Sequence, residues 1–385
     1  MAIAIANRAK VASELKRPLA EIAPLYKRAI ELRREALTAD GARDNAAERK
    51  AELGVELFGY AEWLLNQQGV DPVRFATRAM ETAQESSQLL REAVSVMPSE
   101  QRARQSARQD LGVALLILGQ SGERLGNDEQ ATNAYAESVA ILRQLVEEFP
   151  SRYSFRKLLV LVANKYGDYL LGKGGDPKQI ELQYAIATRD LKRTLGAPEI
   201  RDLQHGHNGL AMQYYRNGLV ALLDGNSSRA RVLFEQCALL REMAWLDTLQ
   251  ESGSDPDLDR SITQRIELML AKARSGHTQA AMEHAEWLTE RAEGLIRESG
   301  NHDGLAGGFP PNRLFLHAAA AYGLASEFLT DSQQREAIAS ALAAINRSLE
   351  TGLSDPRHLL HDPDLAPLQK LPEYQQLIAP PASGK

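Results

Sequence analysis

Apolar residues recur along this chain at intervals of three and four, and β-branched runs are nearly absent, a pattern that predicts helix after helix. The stretch from Tyr214 to Cys237 shows it most clearly. Tyr214 and Gly218 lie one turn apart on a first helix, and the turn cluster Asp224-Gly225-Asn226-Ser227 stops it. Ala230, Phe234 and Cys237 then recur at i, i+4 and i+7 on a second helix. The small residues Gly218 and Ala230 let the two helices approach closely, and Phe234 fills the space between this pair and its neighbour.

The same arrangement repeats along the chain. Leu118-Gly119 precedes a turn at Gly126-Asn127-Asp128, then Ala131, Tyr135 and Ser138, closed by Pro150. Tyr166-Gly167 precedes Gly174-Gly175-Asp176-Pro177, then Ile180, Tyr184 and Ala187. Leu268-Met269 precedes Ser275-Gly276-His277, then Ala281, Ala285 and Leu288. The aromatic slot falls at positions 135, 184, 234 and 285, spacings of 49, 50 and 51 residues, and such a near-constant period marks a repeat array.

Upstream, residues 46–68 place Leu53, Leu57, Tyr60 and Leu64 on one helix face; Gly69-Val70-Asp71-Pro72 ends that helix, and residues 73–96, closed by Pro98, are its partner. Residues 13–37 carry Ile22, Tyr26 and Ala29 at second-helix offsets, with Pro24 in the first turn and a short partner over residues 2–16. On this reading the chain starts inside a repeat. Leu249–Asp259 and residues 299–312 read as loops. Helices resume at Arg313–Phe328 and Ser332–Glu350, and the tail is expected to fold as two short helical turns over the last pair. The expected organisation is a partial repeat over 1–40, a repeat array over 41–300, a terminal pair and cap over 301–378, and a disordered tail over 379–385.

The Leu-Gly and Ala-x3-Phe/Tyr elements above resemble the tetratricopeptide family. The resemblance implies an all-α fold: a TPR-like α-solenoid of about six or seven antiparallel helix pairs, with units of about 50 residues in place of the usual 34. A second resemblance rests on the alanine-rich Ala318–Ser326, on Asp362–Leu368, and on Pro372 and Tyr374. These are similar to the tetratricopeptide regions of bacterial, planctomycete-type serine/threonine protein kinases. That similarity implies the accessory module of a signalling kinase. The catalytic part is not represented: there is no Gly-rich loop with a Val-Ala-x-Lys strand, no His-Arg-Asp and no Asp-Phe-Gly.

Composition narrows the function further. A net charge of −6, with Lys and Arg interspersed among Asp and Glu, leaves no basic stripe for nucleic acid. No apolar run reaches the roughly 20 residues of a membrane span, and the apolar start lacks a preceding basic region, so a cytoplasmic protein is expected. The single cysteine, Cys237, excludes an internal disulfide and occupies a small-residue helix slot, which makes it a buried small hydrophobe.

Chemistry-bearing residues are few. His205 and His207 lie two apart near Asp202, a spacing that diverges by about 200° on a helix and so argues against a shared metal. His358 and His361, beside Asp362, fall in a turn-like segment. Gly304-Leu305-Ala306-Gly307-Gly308 lacks the Lys-Ser/Thr ending of a phosphate loop. Tyr135, Tyr184 and Phe234 belong between helices, and Trp63, Trp245 and Trp287 each have an apolar face. No catalytic residue, metal site or cofactor is assigned.

Helical phase instead points to the face lined by the first helices. Asn164, Lys165, Asp168, Met212, Tyr215 and Arg216 lie opposite Gly167 and Gly218, a mix suited to an adaptable peptide groove. Lys165 and Arg216 are candidates to grip a partner carboxylate. The expected function is a non-enzymatic scaffold for a protein or peptide partner. Two other classes stand beside it: a self-associating homo-oligomeric scaffold, and a ligand or metal sensor or enzyme using His205, His207 or the loop 304–308.

Overall fold

The computed structural model describes residues 2–15, 17–39, 45–67, 71–98, 101–195, 203–252, 259–299, 310–353, 359–360 and 362–379. The chain is an all-α protein of the TPR-like solenoid class, its helices packed in neighbouring pairs; no strand occurs among the described residues. It divides into two compact units, Met1–Tyr169 and Leu170–Lys385. Unit 1 holds α1 (Ala2–Glu14), α2 (Leu19–Thr38), α3 (Ala46–Leu65), α4 (Pro72–Val96), α5 (Arg102–Leu125), α6 (Asp128–Glu148) and most of α7 (Tyr153–Gly172). Unit 2 holds the end of α7, then α8 (Pro177–Leu195), α9 (Leu203–Leu223), α10 (Ser227–Ser252), α11 (Asp259–Ser275), α12 (Thr278–Ser299), α13 (Pro311–Ser326) and α14 (Asp331–Glu350). Its tail forms a 3-10 turn, Pro363–Leu365, with α15 (Ala366–Gln369) and α16 (Pro372–Ile378).

The Gly-Asn turns show why each first helix stops and the next starts. Gly126 and Gly225 take φ of 69° and 71°, left-handed values that glycine adopts without a Cβ penalty. The following N–H groups, of Asn127 and Asn226, donate to the carbonyls of Gly122 and Ala221 at 2.8 Å, closing orphan acceptors at the helix ends. The same asparagines then cap the second helices: their side chains accept from the N–H of Gln130 and Arg229 at 3.3 and 3.0 Å.

The expected slots pack as helix pairs. A Cβ on Gly119 would lie 2.9 Å from the Tyr135 ring, and one on Gly218 2.6 Å from the Phe234 ring. Ala131, Ala230 and Ala281 are buried, as are Tyr135, Tyr184 and Phe234. A less visible element is a repeated serine. Ser86 and Ser138 each donate to a carbonyl of the preceding helix, of Gly54 and Gly112, at 2.7 Å, and Ser348 donates to that of Asn312 at 2.8 Å. Counting from these serines, Ala83 and Ile345 stand where Tyr135 does. The aromatic mass missing at Ala83 is supplied from the neighbouring helices by Tyr26, Tyr60 and Trp63, whose rings sit 5.5–5.7 Å apart.

Several boundaries differ from expectation. Ser13 and Glu14 close α1, and α2 begins only at Leu19, because Pro18 holds extended backbone at φ −55°, ψ 144°. Pro24 therefore lies inside α2, beyond its first turn. Helix α10 continues through Ser252, so Leu249–Ser252 of the expected loop are helical, as is Asp259 at the start of α11, and residues 253–258 lie outside the described residues; without a glycine or proline before Gly253, nothing in the sequence stops α10 sooner. The tail does form two short helical turns, with Leu365, Leu368, Tyr374 and Ile378 buried against the last pair.

Candidate functional site

Unit 1 presents a cleft of about 310 Å³ built only from first helices. Glu62, Leu65 and Asn66 come from the end of α3, Gln120, Glu123 and Arg124 from the end of α5, and Lys165 and Asp168 from α7. Two of its charges hold the wall in place. Glu123 accepts the Tyr135 hydroxyl at 2.8 Å, and Tyr135 itself stacks on Tyr166 at 5.7 Å. Burial, with the Glu123 carboxylate alongside, keeps that phenol protonated far above its ordinary range. Arg124 donates to the carbonyl of Leu65, closing the C-terminus of α3. The exposed Glu62 and Lys165 remain turned to solvent across this cleft. Asn164 is half-buried on the same helix as Lys165 and Asp168.

In unit 2, the first-helix residues found from helical phase are Met212, Tyr215 and Arg216 on α9, all half-buried. The Arg216 guanidinium lies 5.7 Å above the Tyr184 ring; burial raises the nearby Glu267 carboxyl above its ordinary range, opposed by Arg241 and then by Arg216. Tyr215 packs edge-on against Phe234 at 5.3 Å. Its hydroxyl donates to Oδ1 of Asp364, a residue of the C-terminal tail.

Arg274, at the end of α11 and outside the residues that helical phase points to, completes that contact. Its Nη2 donates to Asp364 Oδ1 at 2.8 Å and to the Pro363 carbonyl at 2.6 Å, and its Nε to the Tyr215 hydroxyl at 3.0 Å. Only 5% of the Arg274 side chain is exposed. Burial works against its charge, but Tyr215 and Asp364 outweigh it and hold the guanidinium ionised. Asp362 accepts the Asp364 N–H at 2.9 Å and fixes the turn.

The remaining candidates show no reactive or metal-binding arrangement among the described residues. Cys237 is buried and its thiol is pushed up to about 12 by burial, opposed by Arg241, so it stays a thiol. His205 and His207 lie on the first turns of α9, where only the backbone is described. His358, His361 and the glycine loop 304–308 lie outside the described residues. Among the described residues no group of three His, Cys, Asp or Glu is placed to hold a metal ion, and no helix is long and apolar enough to cross a membrane.

No protein-family model and no curated protein matches the sequence. Solved structures do. The apo form of RapI shares 12% identity and a TM-score of 0.50 over 91% of this chain and 99% of its own. A circular tandem repeat protein with novel repeat topology shares 16% identity over 97% and 89%, at a TM-score of 0.34. Yeast Tom70 shares 12% over 98% and 90%, at 0.24. At these identities the likeness to RapI is one of fold.

Proposed function

We propose that the chain is a non-enzymatic interaction scaffold, acting in the cytoplasm, whose first-helix faces hold a protein or peptide partner. The observation that carries this reading is the unit 1 cleft. Three consecutive first helices bring Glu62, Lys165 and Asp168, with the amides of Asn66 and Gln120, around one open space. Opposite charges and amides round a cleft can pair with the side chains and backbone of an extended segment, which helical repeats stacked side by side present as a continuous surface. The similarity of Asp362–Leu368 to tails of bacterial kinase accessory regions supports, as the finer reading, a module that serves a signalling kinase.

The test is capture from source lysate by the wild-type chain and by folded Lys165→Glu and Arg216→Glu variants, singly and combined, read by mass spectrometry. A partner held by wild type and lost with Lys165→Glu places binding on the unit 1 face. The same proteins on every variant would overturn the assignment of the first-helix faces.

A further inference from the structure

The unit 2 face already holds a peptide segment, and the way it does so specifies a ligand. Asp364 offers one carboxylate oxygen to Arg274 and Tyr215, while the Pro363 carbonyl takes the second donor of the same guanidinium. Next to this polar grip, Leu365 and Leu368 are fully buried. Leu368 is seated on Gly323 of α13, where a Cβ would stand 3.0 Å from its Cγ. A carboxylate, a main-chain carbonyl and an apolar anchor are the three groups by which a groove reads a short linear segment.

We propose that this face is a binding site for an acidic Asp-Pro-Asp-Leu type segment, occupied at rest by the chain's own residues 362–368, and that a partner segment of the same chemistry binds by displacing the tail. This deepens the scaffold reading above and rests on it. Two features of the face fit exchange. First, a guanidinium as buried as that of Arg274 demands an acid, because leaving it unpaired in a low-dielectric site is strongly unfavourable. Occupants therefore replace one another and the site does not stand empty. Second, the tail does not fill the face. A cleft of about 390 Å³ remains beside it, between Leu219, Leu222 and Leu223 of α9 and Leu360 and Pro367 of the tail. Leu222, Leu223 and Leu360 are exposed along its walls, giving an incoming apolar residue a foothold before the tail leaves. The tether raises the tail's local concentration to the order of mM, so an effective partner binds the freed site well below that.

The experiment uses the full chain with residues 354–358, between α14 and the tail, replaced by a protease recognition sequence. Before and after cleavage, a fluorescent peptide of residues 359–378 is added and its anisotropy followed, with far-UV circular dichroism recording helicity. The expected result is no uptake by the intact chain, uptake by the cleaved chain with helicity retained, and at least tenfold weaker uptake of the peptide carrying Asp364→Asn. A Tyr215→Phe chain, which keeps the ring and loses only the hydroxyl, is expected to bind the peptide more weakly after cleavage. Cleavage that melts unit 2, or a cut tail that never exchanges, would make the tail ordinary core. Equal binding of the Asp364→Asn peptide would make it an apolar cap without acid recognition. None of these outcomes touches the Lys165 test on unit 1, so the two readings fail separately.

Discussion

Arg124 and Arg274 occupy the same position of their repeats, two residues before the left-handed glycines Gly126 and Gly276, and they end in different environments. In unit 1, the exposed Arg124 reaches back to the Leu65 carbonyl at the end of the preceding first helix. In unit 2, Arg274 is buried and spends its donors on a tail segment 89 and 90 residues further along. One repeat position thus serves either to close a neighbouring helix or to hold a peptide. What decides between them is whether a segment with an acid lies over the face. The unit 1 face remains an open charged cleft, and the unit 2 face carries a resident occupant.

The largest expected break in this comparison is Arg274→Met. It leaves Asp364 partly buried without its cation, and removing one partner of a buried pair costs about 3–5 kcal/mol. Urea unfolding should show that loss. The exposed unit 1 pair Arg34–Glu85, also bonded across helices at 2.7 Å, should lose within about 1 kcal/mol on Arg34→Ala. Equal losses at the two sites would remove the distinction between a buried grip and a surface pair.

Next in size is a pH effect. Burial, then the neighbouring Asp364 carboxylate, pushes Asp362 up from 3.8 to about 6. The folded chain therefore keeps a proton there that the unfolded chain has lost, and the fold weakens as pH rises from about 4 to about 6. Asp362→Asn keeps an acceptor for the Asp364 N–H and removes the charge. It should stabilise unit 2 by up to about 3 kcal/mol at pH 7.5 and by only about 0.5 kcal/mol at pH 4. Asp110 of unit 1 is likewise raised to about 6, by burial opposed by the Ser106 hydrogen bond, so Asp110→Asn should act with the same sign. Half-buried His284, lowered to about 4 by desolvation and the Arg265 charge, pulls the other way, since it resists charging as pH falls below 6.5. His317 is lowered too, by burial and by Arg313 against the pull of Asp364, so each variant is measured against wild type at the same pH. A pH-independent gain at Asp362→Asn would assign it to packing.

Where the two units share a device, they should respond alike. Gly119→Leu and Gly218→Leu each drive a side chain into an aromatic ring and should cost about 1–3 kcal/mol by thermal unfolding. A melt unchanged at either site would break the common register.

That register was legible in the sequence because the aromatics Tyr135 and Phe234, scarce in this chain, lie at a fixed spacing from Gly119 and Gly218. The first full repeat was blurred because Ala83 fills the aromatic slot, and an alanine carries no signal among so many. The serine that fixes its register, Ser86, makes a carbonyl bond that no periodicity reports. Tyr215 was placed on the binding face by helical phase alone. Its partner Asp364 lies 149 residues away, a distance no local pattern spans. Arg274 was missed because Ala-Lys-Ala-Arg-Ser-Gly reads as a basic helix end complementing its own dipole. The available signal was the pairing of one repeat-end arginine with an Asp-Pro-Asp turn in the tail.

The smallest structural effect belongs to Lys165→Glu, and it bears most directly on function. Lys165 is exposed at the rim of the unit 1 cleft, so reversing its charge should change stability within about 0.5 kcal/mol. The same change adds a fourth carboxylate to the cleft, with Glu62, Glu123 and Asp168 already there. A partner that uses a carboxylate against Lys165 should lose affinity, and the loss should shrink as salt rises, because exposed charges are screened over about 8 Å at physiological ionic strength. A partner that presents a cation to Glu62 and Asp168 should instead bind more tightly to the variant. Titration of the captured partner against wild type and Lys165→Glu at two salt concentrations therefore gives the sign of the charge that the open face reads. An affinity unchanged at both would take Lys165 out of the site and leave the occupied face of unit 2 as the one that reads acids.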